Sequence, residues 1–179
     1  MRYFIGSVVL LFAVVGCSTT EPVQQEQEKE SVDPAISETT IPSWYDAGVH
    51  SSSDSLSLHG YALASAADSA RASELSAQTA IEYLRFEIDR TAEKIRKELV
   101  ETSGGEENYA SPAFIIHLRN AISDLSLNAS TIDLQHEISD QGVHYSYTKA
   151  SILRTELSGF LGDEFNDDTF LRKIEILSE

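Results

Sequence analysis

One helical stripe constrains this chain more than any other feature. Ala70, Ala77, Ile81, Leu84, Ile88, Ala92, Ile95 and Leu99 recur at spacings of three, four or seven. That spacing puts them on one face of a helix with 3.6 residues per turn. A short strand pattern, Leu56 to Leu63, leads into the helix and contains Gly60. A glycine inside a strand marks a bulge or a close backbone approach. Ser65 and Asp68 are both of capping type. The first turns carry Ala66, Ala67, Ala70 and Ala72, small enough for a helix to lie close to a sheet. Beyond Ile81 the stripe becomes bulky and the opposite face charged, with Glu93 and Lys97 in favourable i,i+4 order. The other periodic stretches are too short to build a core without this helix.

The stretch Ser103 to Asn108 breaks the helical pattern. Pro112 suits the first turn of a second helix, on which Ile115, Leu118, Ile122 and Leu125 step by three and four. Thr131 to Ala150 reads as an antiparallel hairpin. With Gln141-Gly142 as a two-residue loop, Ile138 faces Tyr145, and Ile132, Leu134 and Ile138 share a face with Val143, Tyr145 and Tyr147. Asp133, Gln135, Glu137 and Ser139 then share the other face with His144, Ser146 and Thr148, leaving His136 as a misfit on the apolar side. A further helix is expected from about Ser151 to Leu161, stopped by Gly162. Asp167 or Asp168 caps a last segment carrying Phe170, Leu171, Ile174 and Leu177, as a helix or a terminal strand. Ser51 to Ser55 reads as a polar loop. The expected class is α+β, a small antiparallel or mixed sheet of about three strands with a long helix and two or three shorter ones on one face.

The N-terminus carries a different kind of signal. Phe4 to Val15 is a twelve-residue, almost wholly apolar run behind Met1-Arg2. As a helix it spans about 18 Å, short of the ~30 Å hydrocarbon core of a bilayer, so it reads as a signal-peptide core. It ends in Val14-Val15-Gly16-Cys17-Ser18, which resembles a bacterial lipobox. The resemblance implies cleavage between Gly16 and Cys17, a thioether-linked diacylglyceryl group on Cys17 and acylation of the new N-terminus. Ser18 after the cysteine resembles lipoproteins sorted to an outer membrane. Cys17 is the only cysteine, so no internal disulfide is available. Residues 17–40, rich in Glu, Gln, Ser, Thr and Pro, read as a tether reaching about 25–30 Å. Residues 41–179 then form a single α+β domain.

The formal charge is −16, and removal of residues 1–16 leaves 12 basic against 29 acidic residues, or −17. Such a surface repels nucleic-acid phosphates. No Gly-x-Ser-x-Gly elbow and no phosphate-cradling glycine loop is present. The five histidines, His50, His59, His117, His136 and His144, include no pair at helical metal-ligand spacing, and the hairpin register above turns His136 and His144 to opposite faces. The acidic run Asp163 to Asp168 lacks the alternating ligands of a calcium loop. No catalytic, cofactor or metal site is therefore expected. Trp44 and Tyr45 open the domain at its edge, and Tyr61, Tyr145 and Tyr147 would line a groove on an open sheet face. These five are the candidate interaction residues.

Pro42-Ser43-Trp44-Tyr45, His59-Gly60-Tyr61-Ala62 and the helix with Ala70, Ala77 and Ala80 together resemble the LPP-twenty lipoprotein family over residues 41–160. The domain also resembles the N-terminal domain of the flagellar T-ring protein, and Gly142 to Tyr147 fits that family's glycine-then-aromatic strand. One departure is that Arg85 to Glu101 still reads as helix, where the family commonly has a strand. The resemblance implies an envelope lipoprotein without settled enzymatic activity, held in the outer membrane by its acyl chains, with an envelope protein or a second copy as partner. The alternative is a ligand carrier with an apolar pocket between the long helix and the sheet. Replacing Cys17 by Ser is expected to leave an unlipidated precursor. Normal processing and membrane retention of that variant, followed by fractionation and mass spectrometry, would sink the lipobox assignment.

Overall fold

The computed structural model describes residues 41–102, 107–127, 131–139, 141–164 and 167–176. Cys17, the apolar run before it and the tether lie outside them. Four antiparallel strands and five helices follow in the order β1 (Ser51–Ser53), β2 (Ser57–Ala66), α1 (Ser69–Thr102), α2 (Glu107–Ala110), α3 (Pro112–Asp124), β3 (Thr131–Ile138), β4 (His144–Leu153), α4 (Arg154–Gly162) and α5 (Asp168–Glu175). The sheet order is β1-β2-β4-β3, so β4 returns to pair along the full length of β2. The class is α+β as expected, with one strand more: Ser51–Ser53, read as loop, pairs with Leu58–Gly60. Three serines carry no apolar alternation, and their strand state comes from the backbone ladder. Among the described residues no helix is long and apolar enough to cross a membrane.

The apolar stripe expected on α1 is the buried one from Leu84 to Leu99 and is rotated before that. Asp68 caps the helix through its carboxylate and the Arg71 N–H at 2.9 Å, while Ser65 belongs to β2. The buried face in the first half is Ala72, Ser76 and Ala80, followed by Leu84, Ile88, Ala92, Ile95 and Leu99, whereas Ala70 is exposed and Ala77 half-buried. The reason is that α1 lies against the sheet through its smallest side chains. Gly60 sits under the helix so closely that a Cβ there would overlap the Ala80 carbonyl oxygen and the Leu84 N–H, and would stand 3.0 Å from Leu84 Cα. Further along, Ser76 Oγ bonds Thr148 Oγ1 at 2.7 Å and Ser146 Oγ at 2.9 Å, which satisfies three buried hydroxyls together.

The β3–β4 hairpin has a three-residue loop instead of two. Ser139 N–H bonds the Val143 carbonyl at 2.9 Å, Gly142 takes φ of 74°, and Ile138 pairs with His144. A three-residue loop ending in a left-handed glycine is a standard hairpin connection. The shift of one position turns every β4 side chain over relative to β3. Ser146, Thr148, Ala150 and Ile152 face α1 together with Leu58, Gly60 and Ala62 of β2, and Tyr145 and Tyr147 face the opposite side. His136 and His144 consequently share a face.

The second half of α1 leaves the sheet and serves the other helices. Arg85 Nη1 and Nη2 donate to the carbonyls of Ile122, Ser123 and Leu125, closing the end of α3. Arg96 donates to both carboxylate oxygens of Glu93 and to the Tyr109 carbonyl of α2, and holds the Glu93 carboxyl below its ordinary range. Ser111 and Asp167 cap α3 and α5, and the terminal segment is helical. Ser151–Leu153, expected at the start of α4, finish β4 instead. Phe170 is fully buried against Phe114, whose ring meets that of Tyr109 edge-on. Substituting Gly60→Ala is expected to cost about 3 kcal/mol or more, the top of the overpacking range, because the obstructing atoms are backbone. Urea unfolding measures it, with Gly60→Val lower still. Equal midpoints for all three proteins would show that α1 does not sit where the contact requires.

Candidate functional site

The five sequence candidates come together on the sheet face turned away from α1. Trp44 and Tyr45 arrive from the segment ahead of β1. Trp44 stacks on Tyr61 with ring centroids 6.3 Å apart and planes at 26°, and meets Tyr45 edge-on at 6.3 Å. Tyr45 in turn meets Tyr147 edge-on at 5.0 Å. Tyr145 lies one pleat further along β4, opposite Ser65 of β2 and Glu137 of β3. Burial pushes the Tyr45 and Tyr147 phenols up, with Asp46 adding to the effect at Tyr45 and Glu137 at Tyr147. Trp44, Tyr45, Tyr61 and Tyr145 remain partly exposed, while Tyr147 is 4% exposed beneath them. These aromatics do not line a pocket under the long helix. The interval between α1 and the strands β2 and β4 is closed by the Gly60 approach and the Ser76 hydroxyl cluster.

A second set of residues on the same face went unread in the sequence. His59 of β2 lies directly across from Ser151 of β4. Its Nδ1 is 2.8 Å from Ser151 Oγ and its Nε2 3.1 Å from Asp54 Oδ2. With Nε2–H donating to the carboxylate, Nδ1 accepts the serine proton. His59 and the backbone N–H groups of Leu56 and Ser57 pull the Asp54 carboxyl down to about 2. Arg154, 3% exposed, donates through Nε to the Asp54 carbonyl at 2.8 Å and through Nη1 to the Ile174 carbonyl at 3.3 Å. Burial pulls its guanidinium down, opposed by Asp54 and Glu87. On the α1 side of the sheet, Glu87, 1% exposed, accepts from Ser51 Oγ at 2.8 Å and from Arg90 Nη2 at 2.7 Å.

Aspartate, histidine and serine in line are the residue types of an acyl-transfer relay. Ser151 sits in β4 between His59 of β2 and Thr131 of β3. The array ties the Asp54 turn to the sheet. No signal short of the β2–β4 pairing would have found it, since its members lie 5 and 92 residues apart in sequence.

Among the described residues no group of three His, Cys, Asp or Glu side chains could hold a metal ion, even though His136 and His144 share a face. An open cleft of about 590 Å3 lies beside the sheet, between Gly48–Ser51 and the Glu82, Tyr83, Phe86 and Arg90 side of α1. His50 stacks on Tyr83 at its wall, with centroids 4.8 Å apart.

The fold and these sites define an α+β domain with one helix laid across an antiparallel sheet and an aromatic cluster behind it. Neither a family model, a curated protein nor a solved structure matches the chain.

Asp54 generates a pH prediction. Its carboxyl is depressed in the folded state, so its contribution is complete above the unfolded value near 4. That contribution fades as pH falls through about 2. Its side chain is 59% exposed, so the contribution is modest. Asp54→Asn is expected to be less stable than the parent at pH 6 and to converge on it by pH 2, measured by urea midpoints at each pH. A constant gap across that range would show that the carboxylate is not the source.

Proposed function

We propose that this chain is a lipid-anchored envelope lipoprotein. Its α+β domain acts as a structural or interaction module in an outer-membrane or cell-surface assembly. The membrane half of the reading draws on the Val14-Val15-Gly16-Cys17-Ser18 sequence. The acyl chains it implies contribute about 0.8 kcal/mol per buried CH2, enough in combination to hold a protein on a bilayer.

The interaction half draws on one observation, the outer edge of β3. This strand ends the sheet and is eight residues long, whereas the opposite edge is the three-residue β1. Among the described residues nothing pairs with its far side. Soluble proteins guard such edges with short strands, prolines or charges. Here Ile132, Leu134 and Ile138 stand 39%, 44% and 62% exposed on one face of the edge. A strand from an envelope protein or from a second copy can extend the ladder there and cover them. The carrier reading, with a pocket beneath the long helix, draws no support from the closed interval under α1. No reaction is assigned to the Asp54–His59–Ser151 array.

A photocrosslinking residue in place of Ile138, in lipidated protein in its own membranes, is expected to give a discrete adduct of higher mass. Leu134→Lys in the same protein is expected to abolish the adduct while shifting the unfolding free energy by no more than about 0.5 kcal/mol, as for other surface changes. A single uncrosslinked species from sites across β3 would end the interaction reading and leave the anchor untouched.

A further inference from the structure

Two open hollows meet at one guanidinium. Arg90 of α1 lines both the cleft of about 590 Å3 beside the sheet and a smaller hollow of about 250 Å3. The smaller one is walled by Ser53 of β1 and by Glu87, Thr91 and Lys94 of α1. Helix period explains the convergence. Glu82, Phe86, Arg90 and Lys94 follow at intervals of four, about 6 Å per step along one side of α1. The line reads acid, ring, cation, cation. Arg90 is held in place, because its Nη2 lies 2.7 Å from Glu87 Oε1 and 2.6 Å from Oε2. Ser51 Oγ donates to the same carboxylate, so Glu87 is satisfied. Among the described residues, Nε and Nη1 of Arg90 have no partner and Lys94 makes no ion pair. Arg90 and Lys94 against Glu87 leave the smaller hollow with one net positive charge, on a chain of 29 acidic and 13 basic residues. The larger cleft supplies apolar surface next to that charge. Phe86 and Val49 line it at 60% and 39% exposure, and His50 stacked on Tyr83 forms its wall.

A cation in the smaller hollow would meet Arg90 and Lys94, and a neutral ligand would gain nothing from the surplus charge. A carboxylate takes the free N–H donors of both in charge-assisted bonds. Glu82, about 12 Å from Arg90 along the helix, opposes a second negative group at the far end of the cleft. We propose that this groove between β1 and α1 binds a small amphipathic monocarboxylate with an aryl body. Arg90 and Lys94 donate to its carboxylate beside the Ser53 and Thr91 hydroxyls, and the ring lies on Phe86 and the His50–Tyr83 wall. The site uses the β1 edge and the exposed side of α1. It is independent of the acyl anchor and of strand addition at β3, and its failure leaves both readings standing.

The test titrates the purified full chain with sodium phenylpropionate at pH 7, by calorimetry and by ring NMR of Phe86, Tyr83 and His50. Phenylpropanol is the neutral counterpart and acetate the carboxylate without a body. Saturable binding of phenylpropionate is expected, with a dissociation constant of about 1 mM, the scale for a ligand of this size. It is expected to be about tenfold tighter than phenylpropanol, from the charge-assisted bonds, and tighter than acetate. Lys94→Gln and Phe86→Ser change exposed side chains and are expected to weaken binding about fivefold each, with urea midpoints near the parent's. Arg90 is left in place because its loss would strip buried Glu87 of its ion pair. Four results would each overturn the site: no saturation by about 20 mM, equal binding of phenylpropanol, affinity unchanged by either variant, or acetate bound as tightly as phenylpropionate, which would mark an adventitious ion only.

Discussion

Where β2 passes beneath α1 there is room for a hydrogen atom and nothing larger, and this limit at Gly60 propagates through the domain. A helix that close to a sheet cannot rest on leucines. Its contact face is Ala72, Ser76 and Ala80, and the strands answer with Gly60, Ala62, Ser146, Thr148 and Ala150. Small side chains remove little apolar area each, so close packing and hydrogen bonds must replace bulk. Ser76 therefore carries more than its size suggests. It joins two β4 hydroxyls that would otherwise be buried without partners, at a penalty of about 1–3 kcal/mol for each.

The length of α1 follows from a division of labour along it. Thirty-four residues rise about 51 Å, while a ten-residue strand spans about 33 Å. The helix runs back along β2, with Ser76 near Thr148 and Glu87 at Ser51, and continues past the sheet. Its bulky half, Ile88 to Leu99, is the spine for α2, α3 and α5, and Phe170 fills the space between them. At the changeover sits Glu87, buried and tied to β1 and to Arg90. Arg85, two residues earlier, spends its guanidinium on the carbonyl end of α3. Charged groups on α1 thus hold elements that the narrow sheet cannot reach.

The same constraint explains what could be read in advance. The long helix, the Pro112 start, the Asp167 cap and the α+β class were legible because each rests on a local rule of period, turn or cap. The hairpin register was not. Sorting by hydrophobicity puts Tyr145 and Tyr147 with Ile132, Leu134 and Ile138, and that sorting assumes that the apolar face is the buried one. Under α1 the criterion is size, so Ser146 and Thr148 go inward and the tyrosines outward. Ile132, Leu134 and Ile138 do lie on the α1 side, but β3 is the outermost strand, and α1 meets it at His136, whose Nε2 is 3.0 Å from the Ser69 carbonyl, while the three apolar side chains stay exposed. The His59–Ser151 pair was invisible for a related reason. It depends on which strands are neighbours and in which register, and no local pattern carries that information.

These facts also direct where recognition can occur. A helix seated on backbone leaves no volume to open beneath it without breaking the Gly60 contact, so a ligand cannot be admitted there at modest cost. The outer face has the opposite character. Its cover is the irregular segment from Ile41 to His50, fastened by rings and by turns at Tyr45 and Val49, and not by a helix. Ring-on-ring contacts add about 0.5–1.5 kcal/mol each beyond their area, far less than the backbone packing on the other side. The domain therefore has one face built for rigidity and one whose contacts can be exchanged, and the polypeptide enters the fold on the exchangeable side.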